Sequence, residues 1–210
     1  MAEAQILPEQ FDDFEQQAET SISGMWAFLA SEIVFFGGLF LAYIVYRTTY
    51  PQAFSAGSHQ SNVLLGSINT AVLLTSSLTM ALALEAARDG LRKPLVMFLS
   101  ATELLGLAFL IIKGVEYAEH ISFGLWPGRH FKTALPQGTE LFFILYFLMT
   151  GLHAVHLIIG CGVVSVILWM ACKRKFSQKY HTPVEVTGLY WHFIDLVWVF
   201  LYPLFYLIPR

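Results

Sequence analysis

Five long apolar runs dominate this sequence and restrict the folds that are open to it. They lie at about residues 24–46, 63–87, 94–117, 139–172 and 184–208. A helix of about 20 apolar residues crosses the ~30 Å hydrocarbon core of a bilayer, and only helices and closed barrels satisfy the backbone hydrogen bonds there. Charged residues make up 13% of the chain, against about 25% in soluble domains. We therefore predict an all-α polytopic membrane protein, a bundle of five transmembrane helices.

The connections between the runs, among them an expected loop at residues 47–62, are too short to fold on their own. Residues 24–210 are therefore expected to form a single bundle domain, preceded by a polar tail at residues 1–23. The tail holds six acidic residues and no Lys or Arg. Secretory signals begin with basic residues, so we expect the first span to remain in the mature protein.

Basic residues are divided unequally between the two ends of the expected bundle. The end that carries the tail has seven of them: Arg88, Arg92, Lys93, Lys173, Arg174, Lys175 and Lys179. The other end has four: Arg47, Arg129, Lys132 and Arg210. Because positively charged loops tend to stay in the cytoplasm, we expect a cytoplasmic N-terminus and a periplasmic C-terminus. No basic stripe marks the soluble parts, so nucleic acid is not expected as a partner.

Ionisable side chains inside the spans are the candidate functional residues. Glu32 lies in the first span, His153 and His156 form a His-x-x-His pair in the fourth, and His192 and Asp195 stand three residues apart in the last. Residues at this spacing share one side of a helix. Charged groups at membrane depth are costly unless they face protein or water. Since Glu32 and the last-span pair lie at matched depth, we expect that they could meet if their helices are neighbours.

The chemistry of these residues leaves several alternatives open. They could form a structural polar network, handle protons or bind a lipid headgroup. A zinc or iron site is a weaker alternative because the histidines are few and scattered, and no metal site is expected. A small proton-coupled transporter is also possible, although five spans without a visible repeat argue against it. The aromatic residues near the span ends, among them Tyr117, Tyr190 and Tyr206, are expected to be interface anchors.

Short motifs in five different spans resemble those of subunit III of the haem–copper terminal oxidases. They are Ser31-Glu32, Asn69-Thr70, Glu116-Tyr117, Thr150-Gly151-Leu152-His153-Ala154-Val155-His156, and Glu185 followed by Tyr190-Trp191-His192-Phe193-Ile194-Asp195. The resemblance covers nearly all of residues 24–206, and the number of spans is that of the family's five-helix form. It implies that Glu32, His153, His156, His192 and Asp195 are the family's intramembrane polar positions, and that Asn69, Glu116, Tyr117 and Glu185 match further family positions.

The resemblance also implies a role for the whole chain. It predicts an accessory, cofactor-free subunit that packs directly against oxidase subunit I and contacts other oxidase subunits, with haem and copper held by those partners. Phospholipid is expected to bind in a cleft. The chain itself would be non-catalytic, and would stabilise a proton-translocating respiratory complex and aid proton uptake in a bacterial inner membrane.

The electron donor and the wider assembly are less defined by the resemblance. Cytochrome c is the first choice of donor and quinol the second, with a nitric oxide reductase-associated subunit as a further alternative. Membership of a respiratory supercomplex is possible.

Two residues depart from the family pattern. Lys113 stands where the family often has glutamine, and we expect it either to snorkel towards the interface or to pair with Glu116 three residues later. Glu103 stands in mid-span, where an apolar residue is usual. We expect it to face another subunit or to pair across the bundle.

Overall fold

The computed structural model describes residues 13–128, 131, 135–178 and 180–207. Several residues used in the sequence analysis lie outside that part of the chain: residues 1–12 of the expected tail, residue 208 of the last span, and Arg129, Lys132, Lys179 and Arg210. Its helices are α1 (Phe14–Thr49), α2 (Pro51–Gln60), α3 (Val63–Arg88), α4 (Arg92–Ser122), α5 (Thr139–Cys172) and α6 (Thr182–Tyr206). Five of these, all except α2, are long and apolar enough to cross a membrane. The predicted fold class is confirmed.

Local capping chemistry sets where several helices begin. The carboxylate of Asp13 accepts the backbone N–H of Gln16 at 2.7 Å, and the side chain of Asn62 accepts two backbone N–H groups at the start of α3. Such side chains satisfy amides that have no partner within the helix. Helix α5 follows Gly138, whose φ of +94° is a conformation that suits glycine.

The structure departs most from the sequence prediction at three places. Helix α1 starts ten residues before the expected position of 24, so the described end of the polar tail is helical and continuous with the first span. Helix α4 continues to Ser122 rather than ending near 117. The segment 47–62 was expected to be a loop, and this is wrong because it contains α2.

Packing explains the extra helix in that segment. Pro51 stands in its first turn, where a missing N–H costs nothing. Phe54 is fully buried, with its ring centroid 5.5 Å from that of Phe142 on α5. A Cβ atom on Gly57 would lie only 2.3 Å from the Phe142 ring. Glycine therefore lets α2 approach α5 closely, a contact that local propensity does not reveal.

Helix α6 is the centre of the bundle, and α1 is its most peripheral span. Of the most apolar stretch of α6, 61% is buried, compared with 17% for α1. Trp191 fills the centre: a Cβ on Gly106 of α4 would lie 2.8 Å from its ring, and one on Gly160 of α5 would lie 3.3 Å away. Its indole N–H donates to Ser76 of α3 at 3.1 Å. Small residues thus let four helices meet around one indole.

Candidate functional site

The carboxylate of Glu32 and the imidazole of His156 meet between α1 and α5. Glu32 Oε2 lies 3.2 Å from His156 Nε2, and both side chains are mostly buried, at 18% and 16% exposure. The other ring nitrogen, Nδ1, lies 2.8 Å from the carbonyl oxygen of Leu152. A hydrogen bond at the second ring nitrogen fixes the orientation of the imidazole. Each residue is near the midpoint of its helix, so the pair lies deep in the expected hydrocarbon region.

Aromatic groups cover the Glu32–His156 pair. The ring of Phe36 lies 5.4 Å from the imidazole of His156, and the hydroxyl of Tyr190 donates to the His156 carbonyl oxygen at 3.0 Å. Tyr190 is only 7% exposed, so its expected role as an interface anchor is wrong. Together, α1, α5 and α6 form a partly closed, low-dielectric setting in which a proton or a polar headgroup would interact strongly with the pair.

His192 and Asp195 lie on another side of α6 and do not contact Glu32. His192 Nδ1 is 2.7 Å from the hydroxyl of Ser77 on α3. Asp195 is 4% exposed, and among the described residues neither of its carboxylate oxygens has a hydrogen bond of normal geometry. The opposite side of α6 presents Phe193 to α1, where its ring is 6.2 Å from that of Phe36. Equal depth in the membrane therefore does not bring Glu32 into contact with His192 and Asp195, because the rotation of α6 about its axis turns these two residues away from α1.

The two histidines of the His-x-x-His pair also point to different neighbours. His153 is 1% exposed, and neither ring nitrogen has a hydrogen-bond partner in the part of the chain that the structure describes. Its ring instead lies 5.2 Å from that of Trp198 and 5.5 Å from that of Phe109. Only His156 reaches α1. Among the expected polar residues, Glu32 and His156 thus form one direct pair. His153 lies at a second site, and His192 and Asp195 lie at a third.

A denser polar cluster lies between α4, α5 and α6, and its centre is Lys113. The ammonium group lies 3.1 Å from Glu116 Oε2, and the two side chains are 3% and 1% exposed. It also donates to the hydroxyls of Tyr146 at 2.8 Å and Tyr206 at 2.7 Å. Both hydroxyls in turn donate to Glu116 Oε1, at 2.9 Å and 2.5 Å. The expected pairing of Lys113 with Glu116 is confirmed, and snorkelling is wrong because the side chain is buried.

Sequence reasoning missed the two tyrosines of this cluster. Tyr206 was expected to be an interface anchor, but it is fully buried, as is Tyr146. A Cβ on Gly66 of α3 would lie 2.8 Å from the Tyr206 ring, so this glycine makes room for it. The signal available in the sequence was the unusual Lys-x-x-Glu pair within a span. Its hydroxyl partners, which lie on two other helices, could not be read from spacing.

The remaining family-matched residues occupy separate positions. Asn69 is fully buried, and neither its side-chain oxygen nor its side-chain nitrogen has a hydrogen-bond partner within the described ranges. Tyr117 shares a hydrogen bond of 2.5 Å with Thr150 across α4 and α5; the tyrosine is only partly exposed rather than a surface anchor. Glu185 lies at the N-terminal end of α6, 2.9 Å from Arg88 Nη2.

Glu103 forms a contact across the bundle. Its Oε1 accepts a hydrogen bond from Ser165 of α5 at 3.1 Å, while its Oε2 is buried and has no partner among the residues that the structure describes. Cross-bundle pairing was one of the two expectations for this residue. Within residues 13–128, 131, 135–178 and 180–207, no group of three or more His, Cys, Asp or Glu side chains is arranged to hold a metal ion.

The fold and these clusters define a polytopic helical membrane protein with several ionisable side chains buried inside the bundle, among them Lys113, Glu116, His153 and Asp195. A family model described as cytochrome c oxidase subunit III matches residues 17–209, nearly the whole chain. The chain belongs to the cytochrome c oxidase subunit III family, and is an accessory subunit of a haem–copper oxidase that associates with other oxidase subunits.

Named relatives agree with this family. Cytochrome c oxidase subunit 3 of the cyanobacterium Synechocystis is 32% identical over 186 residues, which cover 88% of this chain and 74% of the relative. The mouse protein of that name is 33% identical over 187 residues, covering 85% of this chain and 66% of the relative. The Oncorhynchus mykiss protein is 33% identical over 189 residues, with the same coverage. The chain thus aligns with about two thirds of the vertebrate proteins.

Proposed function

We propose that this chain supports proton uptake and controls lipid access in a cytochrome c oxidase through the Glu32–His156 pair. The observation that carries the proposal is the 3.2 Å contact between a carboxylate and an imidazole in the middle of two spans. The pair retains some exposure while aromatic rings cover it. An imidazole nitrogen can accept or donate a proton, so it can exchange a proton with a carboxylate that it contacts.

The proposal also includes the partner subunits, the electron donor and the lipid of the complex to which the chain belongs. The subunit packs directly against oxidase subunit I, and the partner subunits hold the haem and copper. Cytochrome c is the electron donor that we propose first, since the relatives carry that name; quinol is the second. A phospholipid occupies the region beside the peripheral helix α1. Glu103 pairs across the bundle, since its Oε1 accepts a hydrogen bond from Ser165.

We also propose that residues 24–210 act as one domain in a bacterial inner membrane, with the N-terminus cytoplasmic. The uneven division of basic residues supports this orientation. The turn between α3 and α4 would then face the cytoplasm. A reporter that is active only in the periplasm should be inactive when fused to the N-terminus, and activity there would reverse the assignment.

The first experiment is to tag the chain, purify its complex gently and record a reduced-minus-oxidised visible spectrum. Haem a with copper supports a cytochrome c oxidase, whereas a haem o spectrum would favour quinol as donor. A colourless chain purified alone from membranes that contain these haems would contradict the proposed complex.

The second experiment tests the pair itself. Glu32→Gln and His156→Asn complexes should pump fewer protons per electron and inactivate sooner during turnover, with wild-type haem content. Glu103→Gln is the matched control, because it neutralises another intramembrane glutamate whose partner is a serine. If Glu32→Gln leaves proton pumping, turnover lifetime and lipid content unchanged, the pair is only structural.

A further inference from the structure

The hydroxyl of Tyr190 joins α6 to the backbone of α5 at the residue that carries the imidazole of the Glu32–His156 pair. It donates to the carbonyl oxygen of His156 at 3.0 Å. Because α5 continues to Cys172, the same carbonyl also accepts the backbone N–H of Gly160 within the helix. A carbonyl oxygen has two lone pairs and can serve both donors. The bond therefore links the two helices without replacing a bond inside α5.

The imidazole of His156 is held to its own helix. Its Nδ1 lies 2.8 Å from the carbonyl oxygen of Leu152, one turn earlier on α5. The other nitrogen, Nε2, lies 3.2 Å from Glu32 Oε2 on α1. Because the ring is bonded to α5, it moves with that helix. The direction in which Nε2 points is thus set by the rotation of α5 about its axis.

A small rotation of α5 would separate the imidazole from the carboxylate. The tips of side chains lie about 5–6 Å from the axis of a helix. A rotation by about 10° would therefore move Nε2 by about 1 Å, and the 3.2 Å contact with Glu32 would lengthen to about 4 Å. Hydrogen bonds between nitrogen and oxygen span about 2.7–3.2 Å. The pair thus depends on a contact that fixes the rotation of α5.

Two adjacent residues of α6 contact α5 at successive turns. A Cβ atom on Gly160 would lie 3.3 Å from the ring of Trp191, so this close approach sets the distance between the two helices. The indole N–H of Trp191 in turn donates to Ser76 of α3 at 3.1 Å, which holds the ring in place. One turn earlier on α5, the hydroxyl of Tyr190 bonds to the His156 carbonyl. Apolar contact has no preferred direction, whereas a hydrogen bond has one, so the Tyr190 bond is the contact that resists rotation.

Helix α6 also holds the helix that carries the carboxylate. The rings of Phe28 on α1 and Tyr190 on α6 lie 6.1 Å apart, and those of Phe36 and Phe193 lie 6.2 Å apart. Glu32 stands between Phe28 and Phe36, one turn from each. Both members of the pair are therefore positioned relative to α6, and Tyr190 contacts the helices of both.

We propose that Tyr190 is a positioning residue for the Glu32–His156 pair: its hydroxyl fixes the rotation of α5 so that His156 Nε2 faces the Glu32 carboxylate. This inference rests on the function proposed for the pair and adds the residue that aligns it. A single neutral hydrogen bond shifts an equilibrium by about two- to tenfold. Without the hydroxyl, the population of the aligned pair should fall by that factor.

The first measurement is a structure of the whole Tyr190→Phe oxidase complex in nanodiscs, determined by electron cryo-microscopy. Phenylalanine keeps the ring that packs on Phe28 and removes only the hydroxyl, so the fold should be retained. The distance from Glu32 to His156 should lengthen by about 1 Å, or the imidazole should divide between two positions.

The matched control is Tyr202→Phe. It removes a hydroxyl from the same helix, one that lies 2.7 Å from the Ser67 hydroxyl of α3 rather than against α5. This variant should keep the 3.2 Å contact between Glu32 and His156.

The second measurement is proton pumping by the same complexes. Tyr190→Phe should pump fewer protons per electron than wild type and inactivate sooner during turnover, whereas Tyr202→Phe should match wild type. In a Glu32→Gln background, Tyr190→Phe should cause no further loss of pumping, because the pair that it aligns is already broken. A merely structural role of Tyr190 would lower pumping by the same factor in both backgrounds.

Three outcomes would overturn the proposal. An unchanged distance from Glu32 to His156 in Tyr190→Phe would show that the hydroxyl does not align the pair, whatever happens to pumping. Equal loss of pumping in Tyr202→Phe would show a general loosening of α6. Equal loss from Tyr190→Phe in the wild-type and Glu32→Gln backgrounds would show that Tyr190 acts independently of the pair. Normal pumping in Glu32→Gln alone would contradict the function proposed for the pair, and the measured distance would still decide whether Tyr190 aligns it.

Discussion

Neutralising one member of the buried Lys113–Glu116 pair should destabilise the protein far more than neutralising both. In Lys113→Met, the Glu116 carboxylate keeps two tyrosine donors but loses its only cation among the described residues. Leaving one member of a buried ion pair alone costs about 3–5 kcal/mol. Because Tyr146 and Tyr206 still donate to the carboxylate, we expect a loss of about 3 kcal/mol in the free energy of unfolding for this variant.

The substitution of Glu116 and the double variant complete the double-mutant cycle. Glu116→Gln leaves the Lys113 ammonium with neutral oxygens and aromatic faces; the nearest ring, that of Tyr146, is 4.6 Å away. We expect this to cost about 3–5 kcal/mol. Lys113→Met/Glu116→Gln removes both charges and retains an acceptor for the tyrosine hydroxyls. Its cost should be about 1 kcal/mol, since replacing a whole buried pair is often nearly neutral.

The assay is reversible unfolding of the full chain in mixed lipid–detergent micelles, followed by near-ultraviolet circular dichroism. The double-mutant cycle gives the coupling energy directly. A coupling below about 1 kcal/mol, the range of exposed pairs, would refute the reasoning that this pair acts as one buried neutral unit. So would a double variant whose loss equals the sum of the single losses.

Two other perturbations test the packing and the surface. Gly106→Ala should lower the free energy of unfolding by about 1–3 kcal/mol through overpacking, because the new Cβ would lie 2.8 Å from the buried Trp191 ring. The control is Gly114→Ala, which has open space around it. This control should be neutral or slightly stabilising in the same unfolding assay. Arg88→Gln breaks an exposed ion pair with Glu185, so it should change stability by no more than about 1 kcal/mol, and a larger loss at moderate salt would contradict this.

Several parts of the candidate site could be read from the sequence because they depend on local geometry. The spacing of Lys113 and Glu116 placed both on one side of a helix, and the structure confirms that they pair. The fourth span, at residues 139–172, has the predicted limits. Mid-span glutamates and histidines were identifiable because an ionisable group in an apolar run is costly without a partner.

Other parts depended on how the helices are rotated about their axes. Glu32 meets His156 rather than His192, because α6 turns Phe193 towards α1 and His192 towards Ser77. The same rotation buries Tyr206 against Lys113. Each rotation is set by contacts between residues far apart in the chain, and sequence spacing carries no information about them.

The sequence by itself determined that the chain is a five-span helical membrane protein, because the bilayer requires long apolar segments with internally satisfied backbones. It also indicated the family, because short motifs that resemble those of the family occur in the chain in the family's order. The tertiary structure decided which ionisable groups meet and that residues 51–60 form a helix against α5. These depend on close packing between helices, and a few glycines and aromatic rings select one arrangement among many that share the same apolar pattern.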